Sequence, residues 1–394
     1  MFHNRHTLFP DLMRHTLLAA CVAVIGVLPP SSMAATVEHA TLDEALAHIG
    51  KHAPTGVMQG RALPFSTLMA SLAQNRVVFV GEMHDRYDHH LHQLAVLQGL
   101  HQRNPKLAIG VEWFQQSFQP VINDYLAGKL TEVEFLRRSE YFERWGYDYR
   151  QLRPILAYAK ANGLPVLALN AQVELTRKVS AGGLEALSKD ERAQLPPTIH
   201  PAAADYQARL RKAFEAHSQD SQQFERFMLV QRIWDETMAY NAAKYLNANP
   251  EHQLVVLAGV GHISDGVGIP ADLARQLPGS KVATVASSDS QDAAPAVDYT
   301  LLTAAVDLPP TGKLGVLLDT QGKGLSIADL GENSAAGKAG LQKGDRLATL
   351  EGMALKNMSD LKLALSQHQV GNAVKMTVER AGAKDLLAYT VVLQ

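Results

Sequence analysis

Five short runs of apolar residues constrain the fold of this chain more than any other feature of its sequence. Each run has four or five residues and is apolar almost throughout, without the alternation of a half-exposed strand: Val77–Val80, Leu107–Val111, Val166–Leu169, Leu254–Ala258 and Val282–Val285. Parallel strands that helices cover on both faces have this pattern. Stretches with helical periodicity separate the runs, so the order of elements indicates an open α/β sheet.

The helical stretches make this sheet larger than a minimal doubly wound fold. His90–Gln102 follows the first run, and Tyr149–Ala161 ends at Gly163, a typical C-terminal cap. Ala203–Ala216 and Phe224–Leu246 form a long helical pair between the third and fourth runs. The sequence therefore predicts a mostly parallel open sheet with helices on both faces and a helical insertion.

Composition sets bounds on the function. The 394 residues are enough for two domains, and 46% hydrophobic with 19% charged residues is typical of globular proteins. The formal net charge is −2, so no basic excess exists to neutralise phosphates, which argues against nucleic acid as the main partner.

The N-terminal 34 residues resemble an export signal. Positive charge precedes the apolar run Thr16–Leu28, which is too short to cross a bilayer. The small residues of Ser32-Met33-Ala34 predict cleavage after Ala34. Leu18-Ala19-Ala20-Cys21 also resembles a lipobox, which would leave Cys21 lipidated. We therefore expect a periplasmic protein that is either soluble or tethered to a membrane by lipid. Cys21 is the only cysteine, so cleavage after Ala34 would exclude disulfides and thiolate metal sites.

A second domain is predicted at residues 309–394, after an α/β domain at 35–308. Near Pro309 the pattern changes to short strands and tight turns. In Ser334–Asp345, Ser334 is expected to begin a short helix that Gly340 ends in the left-handed conformation, with Leu341 as an apolar cap. Three strands and a second helix capped by Ser359 complete the pattern: Arg346–Leu350, Val374–Val378 and Leu386–Val392.

This region resembles a PDZ domain of the bacterial HtrA-like kind from Leu314 to the end, and Ala339–Asp345 carries the resemblance. The resemblance implies that the following strand binds the C-terminus of a peptide or protein by β-augmentation. It also implies that backbone N–H groups hold the peptide's carboxylate in the loop made of Lys313, Leu314, Gly315 and Val316. A domain that only packs on its neighbour or mediates dimerisation would have the same pattern.

Polar residues follow four of the predicted strands: Glu82, His84, Glu112, Asn170 and His262. In an open α/β sheet, ligands bind beyond the carboxyl ends of the strands, so these side chains are expected to converge. Imidazole and carboxylate groups are ligands for Zn²⁺, Mn²⁺ or Co²⁺. A carboxylate–histidine pair can also deprotonate water for attack on a carbonyl group. The sequence contains neither a His-Glu-x-x-His motif nor a Gly-x-Ser-x-Gly nucleophile elbow.

Four motifs occur in a fixed order along the chain: Gly81-Glu82-Met83-His84-Asp85 followed by His90, Val111-Glu112, Trp234–Ala239 on a helix, and Gly259-Val260-Gly261-His262. These motifs give residues 64–303 a resemblance to the ChaN haem-binding proteins of the Tiki/erythromycin-esterase-like superfamily. It implies that His84, Glu112 and His262 surround one pocket, with Glu82 beside them, as catalytic groups or as metal ligands.

The superfamily implies two different functions. ChaN-type members bind haem through a tyrosine in a dimer, which would make haem the cofactor and this protein a homodimer that takes up or handles iron. Tiki-type members are metal-dependent proteases, and erythromycin esterases use His and Glu to activate water. A hydrolase with Zn²⁺, Mn²⁺ or Co²⁺ is therefore the alternative to a haem-binding protein.

A haem site needs an axial ligand and basic groups for the propionates. Arg137–Pro154 offers Tyr141, Tyr147 and Tyr149 as iron ligands, and Arg150 among its arginines. An amphipathic helix that packs its aromatic residues inward would give the same pattern. His90 is expected near the pocket, whereas His89 and His92 are expected to be exposed.

Two further residues are expected to support the site without contacting a ligand. Asp235 lies among apolar neighbours on the helix that carries Trp234 and Met238, which are expected in the core. An aspartate in such surroundings usually has a partner, so Asp235 is expected to orient a pocket histidine. Asn170, at the end of the third strand, is expected beside it.

Overall fold

The computed structural model describes residues 35–36, 40–215, 221–322 and 324–394. The predicted signal segment, with Cys21 and the bond after Ala34, lies outside these ranges. In the described chain, no helix is both long enough and apolar enough to cross a membrane. The chain divides into two compact units, one formed by Ile49–Gln119 and Leu164–Ala305, the other by Ala35–His48, Pro120–Gly163 and Val306–Gln394.

The strands are, in chain order, β1 (Ala35–Thr36), β2 (Thr55–Met58), β3 (Arg61–Leu63), β4 (Val77–Glu82), β5 (Leu107–Gln115), β6 (Val166–Asn170), β7 (Gln253–Gly259), β8 (Val282–Ser288), β9 (Tyr299–Leu302), β10 (Val306–Asp307), β11 (Val316–Asp319), β12 (Leu325–Leu330), β13 (Arg346–Leu350), β14 (Met353–Ala354), β15 (Ala373–Glu379) and β16 (Leu387–Val392). The helices are α1 (Leu42–Lys51), α2 (Phe65–Leu72), α3 (Tyr87–His101), α4 (Gln119–Leu126), α5 (Glu132–Arg138), α6 (Tyr141–Arg144), α7 (Arg153–Asn162), α8 (Val173–Gly182), α9 (Lys189–Arg192), α10 (Ala204–Glu215), α11 (Ser221–Ala248), α12 (Ile269–Gln276), α13 (Ala335–Lys338) and α14 (Met358–Leu365).

The first unit contains an eight-stranded sheet in the order β3-β2-β9-β8-β4-β7-β5-β6. The five predicted strands are consecutive in this order, from β8 to the edge strand β6, and pair in parallel, which confirms the predicted fold class. Val77 and Phe79 pack against α11 and α12 on one face, while Val78 and Val80 point to the opposite face and are buried as well. Burial on both faces explains why the sequence of each strand is apolar throughout.

The predicted helices are confirmed with small changes in their ends. α7 ends at Gly163, whose φ of 64° is the left-handed conformation expected of a glycine cap. α8, α9, α10 and α11 form the predicted insertion between β6 and β7. α3 starts at Tyr87, three residues before the expected start, so its first turn carries the histidines that follow the first strand.

The C-terminal part of the second unit is an antiparallel sheet in the order β11-β12-β13-β15-β16, with β14 paired to β13. Ser334 caps α13, Gly340 has a φ of 92° and Leu341 is buried, as the sequence predicts. The predicted cap of the next helix is wrong. The N-cap of α14 is Asn357 and not Ser359, because the side chain of Asn357 accepts the N–H of Asp360. The helix therefore begins two residues earlier than predicted.

Candidate functional site

The register of three neighbouring parallel strands places the predicted residues at one edge of the first unit's sheet. Glu82 pairs with Gly259 at the ends of β4 and β7. On the other side of β7, Val111 of β5 pairs with Leu257, so Glu112 comes next along the strand. A 3-10 turn at Val260–His262 follows β7 directly and carries His262 to the same edge.

Glu82 and His84 form a buried ion pair. The Nδ1 atom of His84 lies 2.6 Å from Oε1 of Glu82, and the two side chains are 9% and 0% exposed. Burial lowers the pKa of His84, but the charge of Glu82 and their hydrogen bond outweigh it and raise this pKa from 6.5 to about 9. Burial raises the pKa of Glu82, but the nearby imidazoles lower it from 4.5 to about 2. The pair is therefore ionised at neutral pH.

His262 and Asp235 form a second pair of the same kind. Nδ1 of His262 lies 2.6 Å from Oδ1 of Asp235, and both side chains are buried. The other carboxylate oxygen of Asp235 accepts the hydroxyl of Tyr206 at 2.7 Å and Nη1 of Arg232 at 3.2 Å. Burial lowers the pKa of His262, but the charges of Glu112 and Asp235 outweigh it and raise this pKa above its ordinary value.

Glu112 lies between the two histidines. Its Oε2 accepts the N–H of Gly259 at 2.7 Å, and its Oε1 lies 3.4 Å from Nε2 of His262. A Cβ atom at Gly259 would lie 2.8 Å from Cε1 of His84, 3.2 Å from its Nε2 and 3.5 Å from Oε2 of Glu112. Glycine is therefore required at position 259, because any side chain would displace the ring of His84.

His90 approaches the first pair from α3. Its Nε2 lies 3.1 Å from Oε2 of Glu82 and 3.3 Å from the carbonyl oxygen of His84, and its Nδ1 lies 2.9 Å from Oε1 of Gln93. The amide of Gln93 donates to the carbonyl of Val80. Gln93 therefore presents its oxygen to His90, whose Nδ1 must carry a proton. His90 thus contacts the oxygen of Glu82 that His84 does not bind.

The expectation that His89 and His92 are exposed is wrong, because both face the sheet from the first turns of α3. Nδ1 of His89 accepts the N–H of Met83, which fixes the loop that carries His84. Burial lowers the pKa of His89 to about 4, so it is neutral at physiological pH. Nδ1 of His92 lies 2.9 Å from Oγ of Ser287.

Asn170 contacts the backbone of the site instead of its side chains. Its Nδ2 donates to the carbonyl of Glu112 at 3.1 Å, and its Oδ1 accepts the N–H of Ala171. Asn170 therefore ties the end of β6 to the backbone of Glu112, where the register between β5 and β6 shifts. Sequence reasoning missed Tyr206 and Arg232, which no motif marks.

The structure also tests which groups could hold a metal ion. Among the described residues, one set of three has all its ligand atoms within 4.8 Å of one another, namely Asp88, His89 and Asp289. Arg86 already forms ion pairs with both aspartates. The hydrogen bond from Met83 puts the proton of neutral His89 on Nε2, which leaves this atom no lone pair for a metal. We therefore interpret this set as a salt-bridge cluster. The predicted set of His84, Glu112 and His262 is more widely spaced.

A family model described as haem-binding uptake, Tiki superfamily, ChaN matches residues 68–273, slightly more than half of the chain. The chain belongs to this family. A PDZ-domain model matches residues 312–391. The ChaN match contains every residue of the two histidine–carboxylate pairs together with Glu112.

A solved structure titled "Cofacial heme binding to ChaN of Campylobacter jejuni" has a TM-score of 0.53 and 13% identity, and the match covers 64% of this chain and 97% of that chain. At this identity the likeness shows a shared fold. The HtrA3 PDZ domain bound to a phage-derived ligand is 19% identical, with 21% of this chain and 85% of that chain covered and a TM-score of 0.19. RETICULATA-RELATED 5, chloroplastic, of Arabidopsis thaliana is 24% identical over 238 residues, which are 52% of this chain and 30% of that protein. The chain thus spans less than a third of the length of this curated relative.

The tyrosines predicted as haem ligands lie in the second unit. Tyr141 and Tyr149 are fully buried, with ring centroids 5.4 Å apart, and neither hydroxyl oxygen is accessible to solvent. Tyr147 is partly exposed beside Trp145. Arg150 binds Asp148 through two nitrogens and the carbonyl of Pro309 through a third. Its guanidinium group is therefore engaged within its own unit.

The predicted carboxylate-binding loop precedes an edge strand of the PDZ domain. Gly315 has a φ of 70° and Leu314 is buried. Lys313 donates its N–H to the carbonyl of Gln394, so this amide is already engaged and the candidate donors are those of Leu314, Gly315 and Val316. Among the described strands, β11 pairs with β12 alone, and it presents its other edge for an added strand.

Proposed function

We propose that this protein is an exported haem- or iron-handling protein of the ChaN family, whose PDZ domain binds the C-terminus of a peptide or protein partner. The match of residues 68–273 to a haem-binding uptake family carries this proposal. The predicted signal segment supports export, and the open edge of β11 supports peptide binding by β-augmentation.

The residues that would hold haem follow from burial. A tyrosine binds ferric haem iron through its phenolic oxygen, so this oxygen must reach the ligand. Tyr147 is partly exposed, whereas the hydroxyl groups of Tyr141 and Tyr149 are enclosed. Tyr147 is therefore the best candidate for the axial ligand, with Trp145 as an apolar neighbour. The ring of Tyr149 packs on Phe135 and Tyr141, which favours a structural role.

Titration of the purified protein with haemin tests this proposal. We expect a shifted Soret band at micromolar protein, and loss of this shift in Tyr147→Phe. Tyr149→Phe is the matched control, because it removes a buried hydroxyl from the same aromatic cluster and should retain haem. Failure of the wild-type protein to bind haemin would refute the haem-binding function. Equal binding by the two variants would refute the assignment of the ligand.

The site geometry favours a second candidate function, a metal-dependent hydrolase. Glu82 and Asp235 each bind Nδ1 of a histidine, and the two rings flank Glu112. Carboxylates hold metal-binding histidines in this way, because the bond at one ring nitrogen orients the other towards the ion. His84, Glu112 and His262 would hold a divalent ion if their ligand atoms came closer together than they are in this structure. Such an ion would lower the pKa of bound water for attack on an ester or peptide carbonyl.

Metal analysis and hydrolysis assays distinguish the two candidates. A hydrolase should bind Zn²⁺, Mn²⁺ or Co²⁺ with a stoichiometry near one and cleave an activated ester or a peptide. His262→Gln should lose both properties, whereas His92→Gln should retain them, because His92 is a buried histidine of the same unit that contacts Ser287. A wild-type protein that takes up no divalent metal would exclude the metal-dependent hydrolase.

A further inference from the structure

Two side chains of the inserted helix α10 contact the groups around His262: Tyr206 binds Asp235, and Arg209 binds the backbone of Gly261. We propose that both are positioning residues that keep the imidazole of His262 aligned with Glu112. The proposal deepens the second candidate function, the metal-dependent hydrolase, since it takes His262 to be one of the metal ligands. It assigns a role to the insertion that separates this sheet from a minimal doubly wound fold.

Tyr206 acts through Asp235. Its hydroxyl donates to Oδ2 of Asp235 at 2.7 Å, while Oδ1 of the same carboxylate binds Nδ1 of His262 at 2.6 Å. Burial and the charge of Asp235 raise the pKa of Tyr206 well above 10, so its hydroxyl keeps its proton. With both oxygens held, the carboxylate cannot rotate, and Nδ1 of His262 must be the protonated nitrogen. The ring therefore keeps Nε2 towards Glu112.

Arg209 acts on the backbone around His262. Its Nη2 donates to the carbonyl of Gly261 at 2.6 Å, directly before the histidine. Its Nη1 donates to Oγ of Ser264 at 2.6 Å and forms an ion pair with Asp265. The guanidinium group also lies over the ring of Tyr206, 5.0 Å from the ring centroid. One arginine thus holds the chain on both sides of His262 and stacks on the tyrosine that holds Asp235.

These contacts account for much of what attaches α10 to its unit. Of its side chains that the structure describes, Tyr206 is fully buried, and the others are partly or fully exposed. Phe214 adds contacts with Phe224 and Phe227 at the far end of the helix. Little apolar area is therefore available to hold the first half of α10 in place. Removal of either polar contact should loosen His262 more than it affects the core.

NMR of the full-length, metal-free protein labelled with ¹⁵N-histidine tests the proposal without any ligand. The Nδ1 proton of His262 should resonate at low field because of its short bond to Asp235, and its absence in His262→Gln would assign it. In Tyr206→Phe and in Arg209→Met, we expect this proton to move upfield and to exchange faster with water. Arg209→Lys should restore part of the signal, because a lysine can still donate to the carbonyl of Gly261.

Arg211→Met is the matched control. Arg211 lies on the same helix, but its guanidinium group packs over the ring of Phe224, 4.1 Å from the ring centroid. This variant should leave the His262 proton unchanged. Affinity for Zn²⁺ should then fall about tenfold or more in the Tyr206 and Arg209 variants but not in the control, as for other groups that orient a metal ligand.

The outcomes separate this proposal from the proposed function. Unchanged His262 signals in folded Tyr206→Phe and Arg209→Met would overturn the positioning role. If Tyr206→Phe fails to fold, Arg209→Met decides, because Arg209 is partly exposed and contributes little to the core. A wild-type protein that shows the low-field proton but binds neither haemin nor metal would refute the proposed function and leave the positioning role intact.

Discussion

Replacement of Glu82 by Gln should disrupt the electrostatics of the site while it retains the shape of the side chain. In the native protein, the carboxylate of Glu82 lies 2.6 Å from His84 and 3.1 Å from His90. Glutamine keeps a hydrogen-bond acceptor but removes the charge. Burial lowers the pKa of His84 and Glu82 is the main group that raises it, so without the charge of Glu82 this pKa should fall from about 9 towards its ordinary value of 6.5.

The magnitude follows from the same pKa. A rise from 6.5 to about 9 corresponds to roughly 3 kcal/mol of preference for the charged imidazole, at about 1.4 kcal/mol for each tenfold change. The lowering of the pKa of Glu82 to about 2 reflects the same pair, and its energy is counted once. The glutamine amide should recover part of the energy through its own hydrogen bond. We therefore expect Glu82→Gln to lower the free energy of unfolding by about 1–3 kcal/mol at pH 7.

The pH dependence provides a sharper test. Because the folded pKa of His84 is raised, its stabilisation is complete below pH 6.5 and is lost as the pH rises through about 9. The pKa of Glu82 is lowered, so its stabilisation is complete above pH 4.5 and is lost as the pH falls through about 2. The stability difference between wild type and variant should therefore be largest between pH 4.5 and 6.5 and should shrink above pH 9.

Urea denaturation from pH 5 to pH 10 measures the difference in the free energy of unfolding between wild type and variant. NMR titration of metal-free protein measures the pKa of His84. Glu251→Gln is the control, because Glu251 forms an exposed ion pair with Lys106 and should show no measurable change. If His84 still titrates near pH 9 in Glu82→Gln, the carboxylate is not the cause of its raised pKa, and the reasoning fails.

Three further predictions concern other parts of the chain. Gly259→Ala should displace the ring of His84 and abolish Zn²⁺ binding, whereas Gly50→Ala should leave it unchanged, because a Cβ atom at position 50 meets nothing within 4 Å. Titration with Zn²⁺ compares the two variants, and full Zn²⁺ binding by Gly259→Ala would contradict the predicted displacement. Mass spectrometry of the exported protein should give an N-terminus at Ala35, and a mass that includes diacylglycerol on Cys21 would instead support the lipobox. A peptide with a free C-terminal carboxylate should bind the PDZ domain more tightly than its amidated form, as measured by fluorescence polarisation, and equal affinities would exclude carboxylate recognition.

The sheet could be predicted because burial on both faces leaves a direct mark on sequence. A strand such as Val77–Val80 has no exposed face and therefore no polar alternation. The approximate position of the site could be predicted for a related reason. Parallel strands bring their carboxyl ends to one edge, so polar residues that follow the strands had to meet there. Glu82, His84, Glu112 and His262 are close together for this reason.

The burial of His89 and His92 and the contacts of α10 depend on how helices pack against the sheet, which local sequence patterns do not encode. His89 and His92 were expected on an exposed face, but α3 begins at Tyr87 and turns them inward. Tyr206 meets Asp235 across 29 positions of sequence, and Arg209 meets Gly261 across 52. Neither contact follows from periodicity or from a motif. The orienting role expected for Asp235 agrees with its bond to His262, because a buried aspartate needs a donor wherever the fold places it.

The charges of the site bear on the choice between the two candidate functions. Three buried carboxylates, Glu82, Glu112 and Asp235, are offset by Arg232 and by the two imidazoles that they surround. A divalent ion bound by His84 and His262 would need both rings without a proton on Nε2, so it would have to displace protons from rings whose pKa values are raised. Metal binding here should therefore release protons and tighten as the pH rises towards about 9, the pKa of His84. Haem bound through Tyr147 would involve neither imidazole, so any proton released on its binding would come from the phenol group and not from His84 or His262. Calorimetry in two buffers of different ionisation enthalpy measures the protons released, and Zn²⁺ binding without proton release would place the ion elsewhere.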